Sequence, residues 1–364
     1  MSDLSMVTKL VYVLTCAPEK HYIEQALISV YSARHWNPDA HIVLIVDDMT
    51  DQLFVGKRAL ILDYVSEKIV VPFEDAALPP MYRSRWMKTS VRHLVKGRYL
   101  FIDCDTIVAG PLDAIDGMKM EVGAVPDALI PVKEYSRSMY APIGKRAKLV
   151  GYDLSKEEYH FNSGVMLVEE NEQANRLYDL WHSHWLTNTE KKLFVDQPTL
   201  ALANVEMNHV IQPMDVRYNC IVYTQNVFTR EAKILHISSY RNPSFIFSDK
   251  VLEYIKENGL TNEWLLASIL NPCSTFLPFD YDVLHSNAKQ RKAWRREIAQ
   301  TSKGYGKVID SSFEDFPMSS RLRGIVVFLF RKGLNRMAAG LWMLWKRWYV
   351  AGHKKNIKDN ICKK

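Results

Sequence analysis

Two aspartates one residue apart interrupt an apolar run, YLFIDCDTIV at residues 99–108. In an extended chain residues i and i+2 point to the same side, so Asp103 and Asp105 are expected to project together while Cys104 faces away. Neighbouring carboxylates raise each other's pKa by repulsion unless a cation lies between or beside them. A divalent metal resolves that conflict. Hard oxygen ligands favour Mn²⁺ or Mg²⁺, whose coordination is commonly completed by phosphate oxygens of a substrate. The less specialised reading gives one aspartate to a turn and the other to an arginine.

Other side chains suit the same chemistry. Arg85 and Lys88 stand one helical turn apart ahead of the aspartates, so both can face a diphosphate, the arginine through paired hydrogen bonds and the lysine as a point charge. They suit solvated helix charges equally. His236 ends the apolar segment KIL, where an imidazole serves as a structural residue or as a ligand. Asn162, Ser163 and Gly164 offer an amide, a hydroxyl and a close backbone approach, fit for sugar hydroxyls or simply for a turn entering VMLV. Asp196 and Gln197 precede Pro198 and a helical run, where an aspartate is also a natural N-cap.

A scaffold that could gather these residues is visible in the patterning. LVYVLT (10–15) and IVLIV (42–46) read as strands, and between them EQALISVYSARHW has helical spacing with Ala26, Val30 and Ala33 on one side. Strand, helix, strand indicates a βαβ unit and a parallel sheet, with Asp47 and Asp48 at its carboxyl edge. KIVVPF (68–73) is a third strand, SRWMKTSVRHLVKG a helix closed by Gly97, and RYLFIDCD a central strand, apolar on both faces. Residues 126–153 read as a long loop or lid. FNSGVMLVEE and KILHISSY are later strands, with helices over QANRLYDLWHSHWL and DQPTLALAN; residues 255–318 show no assignable pattern.

The 364 residues suit one large α/β domain of about 250–280 residues with an appendage. Five scattered cysteines without CxxC spacing speak against a disulfide framework or a zinc knuckle and fit reduced thiols in a cytoplasmic compartment. The net charge of +6 hides an asymmetry: residues 319–364 hold twelve Lys and Arg against the single acid Asp359, which leaves −5 on the rest. No nucleic-acid partner is expected, because a basic footprint belongs on the folded body.

Taken in order, TCAPEKHYIEQALISVYSA, SRWMKTSVRHLVKGRYLFIDCDTIV, FNSGVMLV, DQPTLAL and LHIS resemble successive motifs of family 8-like glycosyltransferases with the GT-A fold, over roughly residues 8–245. The resemblance implies a GT-A (Rossmann-like) α/β domain, its mixed, mainly parallel sheet flanked by helices. It implies transfer of a hexose, with retention, from a nucleotide-diphosphate sugar, a UDP-sugar, to a glycan or glycolipid acceptor. It assigns Asp103, Asp105 and His236 to Mn²⁺ or Mg²⁺, with Asp105 the principal carboxylate and Asp103 shared with the donor ribose. Donor contacts fall to Ala17, Tyr22, Arg85, Lys88, Asn162, Ser163 and Gly164, although Tyr22 suits helix packing as well. Asp196 binds donor hydroxyls and Gln197 lies near the anomeric carbon. After His236 the family's Gly and Lys-Pro-Trp are replaced by ISSYRNPSF, where Arg241 stands in for the lysine that touches the β-phosphate.

IDCDTIV also resembles the DxDx(T/V) signature of haloacid-dehalogenase-like phosphatases, but that motif belongs on a first strand, and here βαβ-like sequence precedes it. A non-catalytic sugar-binding protein on the same fold is a third reading. The expected organisation is a catalytic domain at 1–275, an extension at 276–318 and a basic, Trp-rich amphipathic helical tail at 319–364. With uncharged stretches too short to span a bilayer, the tail suits the plane of an anionic membrane surface, which places the protein in the cytoplasm on the inner face of a membrane.

Overall fold

The structure is a computed structural model. It describes residues 6–272 except 76, 128–131, 133–140, 155–156, 223–230 and 238–244, together with 325, 337, 341 and 344. The strands are β1 Lys9–Leu14, β2 Ile42–Asp47, β3 Glu67–Val71, β4 Tyr99–Ile102, β5 Thr106–Val108, β6 Val122–Pro126, β7 Phe161–Val168, β8 Ile211–Pro213, β9 Cys220–Ile221 and β10 Ile234–His236. The α-helices are α1 Tyr22–Trp36, α2 Asp48–Asp51, α3 Pro80–Thr89, α4 Val91–Leu94, α5 Ala141–Leu149, α6 Glu172–Thr189, α7 Gln197–Glu206, α8 Asp249–Asn258 and α9 Glu263–Leu270.

Seven strands form the main sheet in the order β3-β2-β1-β4-β7-β6-β8, and β7 alone runs against its neighbours. The expected mixed, mainly parallel sheet is therefore present. Side-chain alternation explains why β2 and β4 are buried at every position. Leu10, Tyr12, Leu44, Val46, Leu100 and Ile102 face one core with α1, α8 and α9. Val11, Val43, Ile45, Tyr99 and Phe101 face another with α3, α4, α6 and α7. A smaller sheet, β5-β10-β9, lies on α1, fastened by the Ser29–Thr106 hydroxyl pair at 2.8 Å and by the Val108 N–H donating to Ser32 Oγ at 3.0 Å.

Four details differ from the sequence reading. β4 ends at Ile102, so Asp103 and Asp105 occupy the turn into β5 and do not alternate on a strand. The helix expected over 84–97 breaks at Ser90, where the Thr89 and Ser90 hydroxyls both meet His182 Nδ1, at 2.7 and 3.2 Å. The stretch read as a loop or lid contains α5, whose Ala147 is held in a small core with Val150, Tyr152 and Ala201. β6 was not expected because Gly123 breaks its apolar run; Gly123 lies against the Met120 and Met214 side chains.

The site-bearing helix α3 is fixed to the sheet by a buried ion pair. At the end of β2, Asp47 accepts from Arg83 Nε through Oδ2 and from the Thr50 N–H through Oδ1 at 2.7 Å. Asp47 and Arg83 are both buried. Asp47→Asn leaves a guanidinium uncompensated there and is expected to cost about 3–5 kcal/mol of stability. Equilibrium urea unfolding measures it, and an unchanged midpoint contradicts this role for Asp47.

Candidate functional site

The candidate site lies at the carboxyl edge of the main sheet, where chain connections part on either side of β1, the usual place for a ligand in such sheets. The Asp103 N–H donates to the Gly164 carbonyl at 2.7 Å, carrying the β4–β7 ladder one step past the strand end. Thr106 Oγ1 donates to the Asp103 carbonyl at 2.8 Å, and the Ile237 N–H to the Asp105 carbonyl at 2.9 Å. Cys104 points away, its Sγ 3.3 Å from the Val13 carbonyl. The two carboxylates thus share a side because their turn is pinned at three points.

His236 ends β10, opposite Thr106 of β5 and Ile221 of β9. Its Nε2 lies 3.2 Å from Asp105 Oδ1. One ligand atom each from Asp103, Asp105 and His236 fall within 4.8 Å of one another. Two carboxylate oxygens and an imidazole nitrogen are a donor set that fits Mn²⁺, and Mg²⁺ less closely, with the remaining positions left to substrate oxygens. The imidazole needs the glycine beside it: a Cβ on Gly164 would sit 2.4 Å from His236 Cε1 and 2.8 Å from Nδ1.

Cations enter from α3. Lys88 Nζ is 3.0 and 3.1 Å from the two Asp103 oxygens and 3.4 Å from Asp196 Oδ2, over the Phe101 ring at 5.0 Å. Arg85 Nε is 3.0 Å from Asp196 Oδ1. The two cations are not equivalent: the Lys88 side chain is 3% exposed and that of Arg85 34%. Asp196 precedes α7 but makes no capping hydrogen bond with its side chain; Oδ2 accepts from Ser163 Oγ at 3.0 Å instead. It is a member of the charge cluster rather than a cap.

These contacts set the ionisation. Burial pushes the Asp103 carboxyl up, with Lys88 opposing and Asp105 adding to the rise. Burial pushes Asp105 the same way, but the charge and hydrogen bond of His236 outweigh it and hold Asp105 low. Burial also pushes the Asp196 carboxyl up, but Arg85 and Lys88 overcome it and hold that carboxyl well below the carboxylate range. His236 is depressed by burial yet raised overall by Asp105.

The remaining expected residues have the following places. Ala17 sits in the turn after β1, and its carbonyl accepts from the Lys20 N–H at 3.0 Å. Tyr22 opens α1 and is 45% exposed, so it does not serve as core packing. Gln197, partly buried, opens α7 next to Asp196. Asn162 lies within β7, not in a turn before it. Arg241 falls outside the described residues. Sequence reasoning missed Asn219 and Asp127, which contact His236 and Asn162 respectively, because neither sits at a recognisable spacing from them.

Comparison with known proteins gives the following. The family model described as Glycosyl transferase family 8 matches residues 13–240. No curated protein sequence matches the chain. Among solved structures it is similar to mouse xyloside xylosyltransferase 1 in its apo form, at 13% identity and a TM-score of 0.40 over 64% of this chain and 97% of that one. It is also similar to galactosyltransferase LgtC in complex with donor and acceptor sugar analogues, at 12% identity and a TM-score of 0.45 over 69% and 94%. The apo-form glycosyltransferase GlyE of Streptococcus pneumoniae TIGR4 matches at 16% identity and a TM-score of 0.41, over 74% and 65%.

Two outcomes follow from the geometry. Gly164→Ala crowds His236 and is expected to weaken Mn²⁺ binding about tenfold or more, read by electron paramagnetic resonance titration; an unchanged affinity contradicts the packing argument. Folded His236 holds its proton more tightly than an ordinary histidine of pKa about 6.5, so its pairing with Asp105 stabilises fully below that pH and is lost as pH rises through the raised value. In thermal melts of metal-free protein, the advantage of wild type over His236→Gln is therefore expected to shrink from pH 6 to pH 9. An advantage that grows over that range contradicts the pairing.

Proposed function

Because the chain belongs to glycosyl transferase family 8, and is a glycosyltransferase of the GT-A fold, we propose that it moves a hexose from a nucleotide-diphosphate sugar, UDP-linked, to a glycan or glycolipid acceptor with retention. The observation that carries this reading is the convergence of Asp103, Asp105 and His236 beside the Arg85–Lys88–Asp196 cluster.

In this reading Asp103, Asp105 and His236 hold Mn²⁺ (or Mg²⁺), which supplies electrostatic stabilisation to negative charge on the departing diphosphate. Three carboxylates facing two permanent cations leave one net negative charge when His236 is neutral. A divalent cation makes that balance positive, and a diphosphate returns it to negative, so donor and metal suit the site best together. Arg85, the more exposed cation, is placed to meet phosphate oxygens. Lys88, buried between Asp103 and Asp196, holds those two carboxylates in register. Asp196, kept ionised by its neighbours, accepts hydrogen bonds from donor hydroxyls, with Gln197 beside the anomeric carbon.

Contact of the basic tail with an anionic membrane surface belongs to the same proposal. Ile325, Met337 and Leu344 are exposed there, while Leu341 packs on the main core. Among the described residues no helix is long and apolar enough to cross a membrane.

Incubation with a panel of nucleotide-diphosphate sugars and Mn²⁺ is expected to give donor turnover in the wild type and none in Asp105→Ala or with chelator. Full activity of Asp105→Ala in chelator contradicts the proposed role of the aspartates. Binding of a nucleotide sugar without turnover favours the sugar-binding reading instead.

A further inference from the structure

Asn219 ends the short 3-10 turn Val216–Asn219 and directly precedes β9. It is 0% exposed and lies between two residues of the site. Its Oδ1 is 2.9 Å from His236 Nδ1, and its Nδ2 is 2.9 Å from Asn162 Oδ1. Asn162 Oδ1 is also 2.8 Å from the Gly164 backbone nitrogen, and Asn162 Nδ2 is 2.8 Å from Asp127 Oδ1.

This chain of contacts has one sense, and a single backbone group sets it. The Gly164 N–H can only donate, so the Asn162 atom facing it is oxygen. Asn219 must then present its NH₂ to that oxygen. Its other end is therefore oxygen, and His236 must donate to it through Nδ1. Nε2, beside Asp105, is left as the nitrogen turned toward the carboxylates. At the far end Asn162 presents its NH₂ to the Asp127 carboxylate, which can only accept when ionised, so both ends of the chain agree.

We propose that Asn219 is a positioning residue for His236, fixing the ring and the proton on Nδ1 so that Nε2 is offered to the metal. The proposal rests on the metal reading above. Asn162 serves the same end: its Oδ1 takes both the Gly164 N–H and Asn219, and its Nδ2 is tied to Asp127. A residue expected to receive sugar hydroxyls thereby becomes the link that aligns the metal histidine with β7. The chain also stitches the two sheets together, since Asn162 lies on β7 of the main sheet while His236 ends β10 of the smaller one and Asn219 directly precedes its strand β9. A ligating histidine is commonly oriented by an acceptor on its other nitrogen, and loss of such a partner typically weakens metal binding about 10- to 100-fold.

The test is a double-mutant cycle on Mn²⁺ affinity, with a spectroscopic measurement on the wild type. Asn219→Ala is expected to raise the Mn²⁺ dissociation constant about 10- to 100-fold, but to change it by less than about twofold in a His236→Ala background. Independently, ¹⁵N-histidine-labelled wild type loaded with Mg²⁺, its His236 signal assigned through His236→Gln, is expected to carry a slowly exchanging proton on Nδ1. Unchanged affinity in Asn219→Ala, an equal loss in both backgrounds, or a His236 proton on Nε2 overturns the role of Asn219. Wild type that takes up no Mn²⁺ instead overturns the metal reading and this proposal with it.

Discussion

Asp103, Asp105 and Asp196 are brought close to one another at a largely buried sheet edge, where like charges repel strongly, and everything else about the site answers that repulsion. Lys88 answers it from within, as a buried ammonium bridging Asp103 and Asp196. Arg85 answers it from the rim and His236 from the smaller sheet. The counter-charges come from two distant elements, Arg85 and Lys88 from α3 and His236 from β10, so the charges balance only when both are in place beside the turn after β4. The same electrostatic demand suits a divalent cation beside Asp103 and Asp105.

The fold supplies the rigidity this requires. Four parallel strands, β3, β2, β1 and β4, run with their carboxyl ends toward the site, and β7 returns against β4 so that its first residues lie beside Asp103. The smaller sheet rides on α1 and delivers His236 by pairing β10 with β5, the strand that leaves the aspartate turn. His236 and the aspartate turn therefore meet at one end of an antiparallel ladder, although 131 positions separate Asp105 from His236 in the chain.

Much of this was legible in the residues. Patterning found β1, β2 and β3 as short β-branched apolar runs and α1 by its helical spacing between the first two. The aspartate pair was visible for the wrong geometric reason: alternation on a strand was expected, and a pinned turn does the work. Asp196 sits where an N-cap belongs, and only tertiary contacts reveal that its side chain serves Ser163, Arg85 and Lys88 instead. Asn219 and Asp127 left no local trace, since their roles depend on the register between sheets and not on spacing within a segment.

Electron spin echo modulation of the Mn²⁺-loaded wild type addresses the central claim, that Asp103, Asp105 and His236 grip one divalent ion. The account predicts coupling from one imidazole nitrogen, present in wild type and absent in His236→Gln. Bound Mn²⁺ without nitrogen coupling, or with coupling that survives loss of His236, contradicts it.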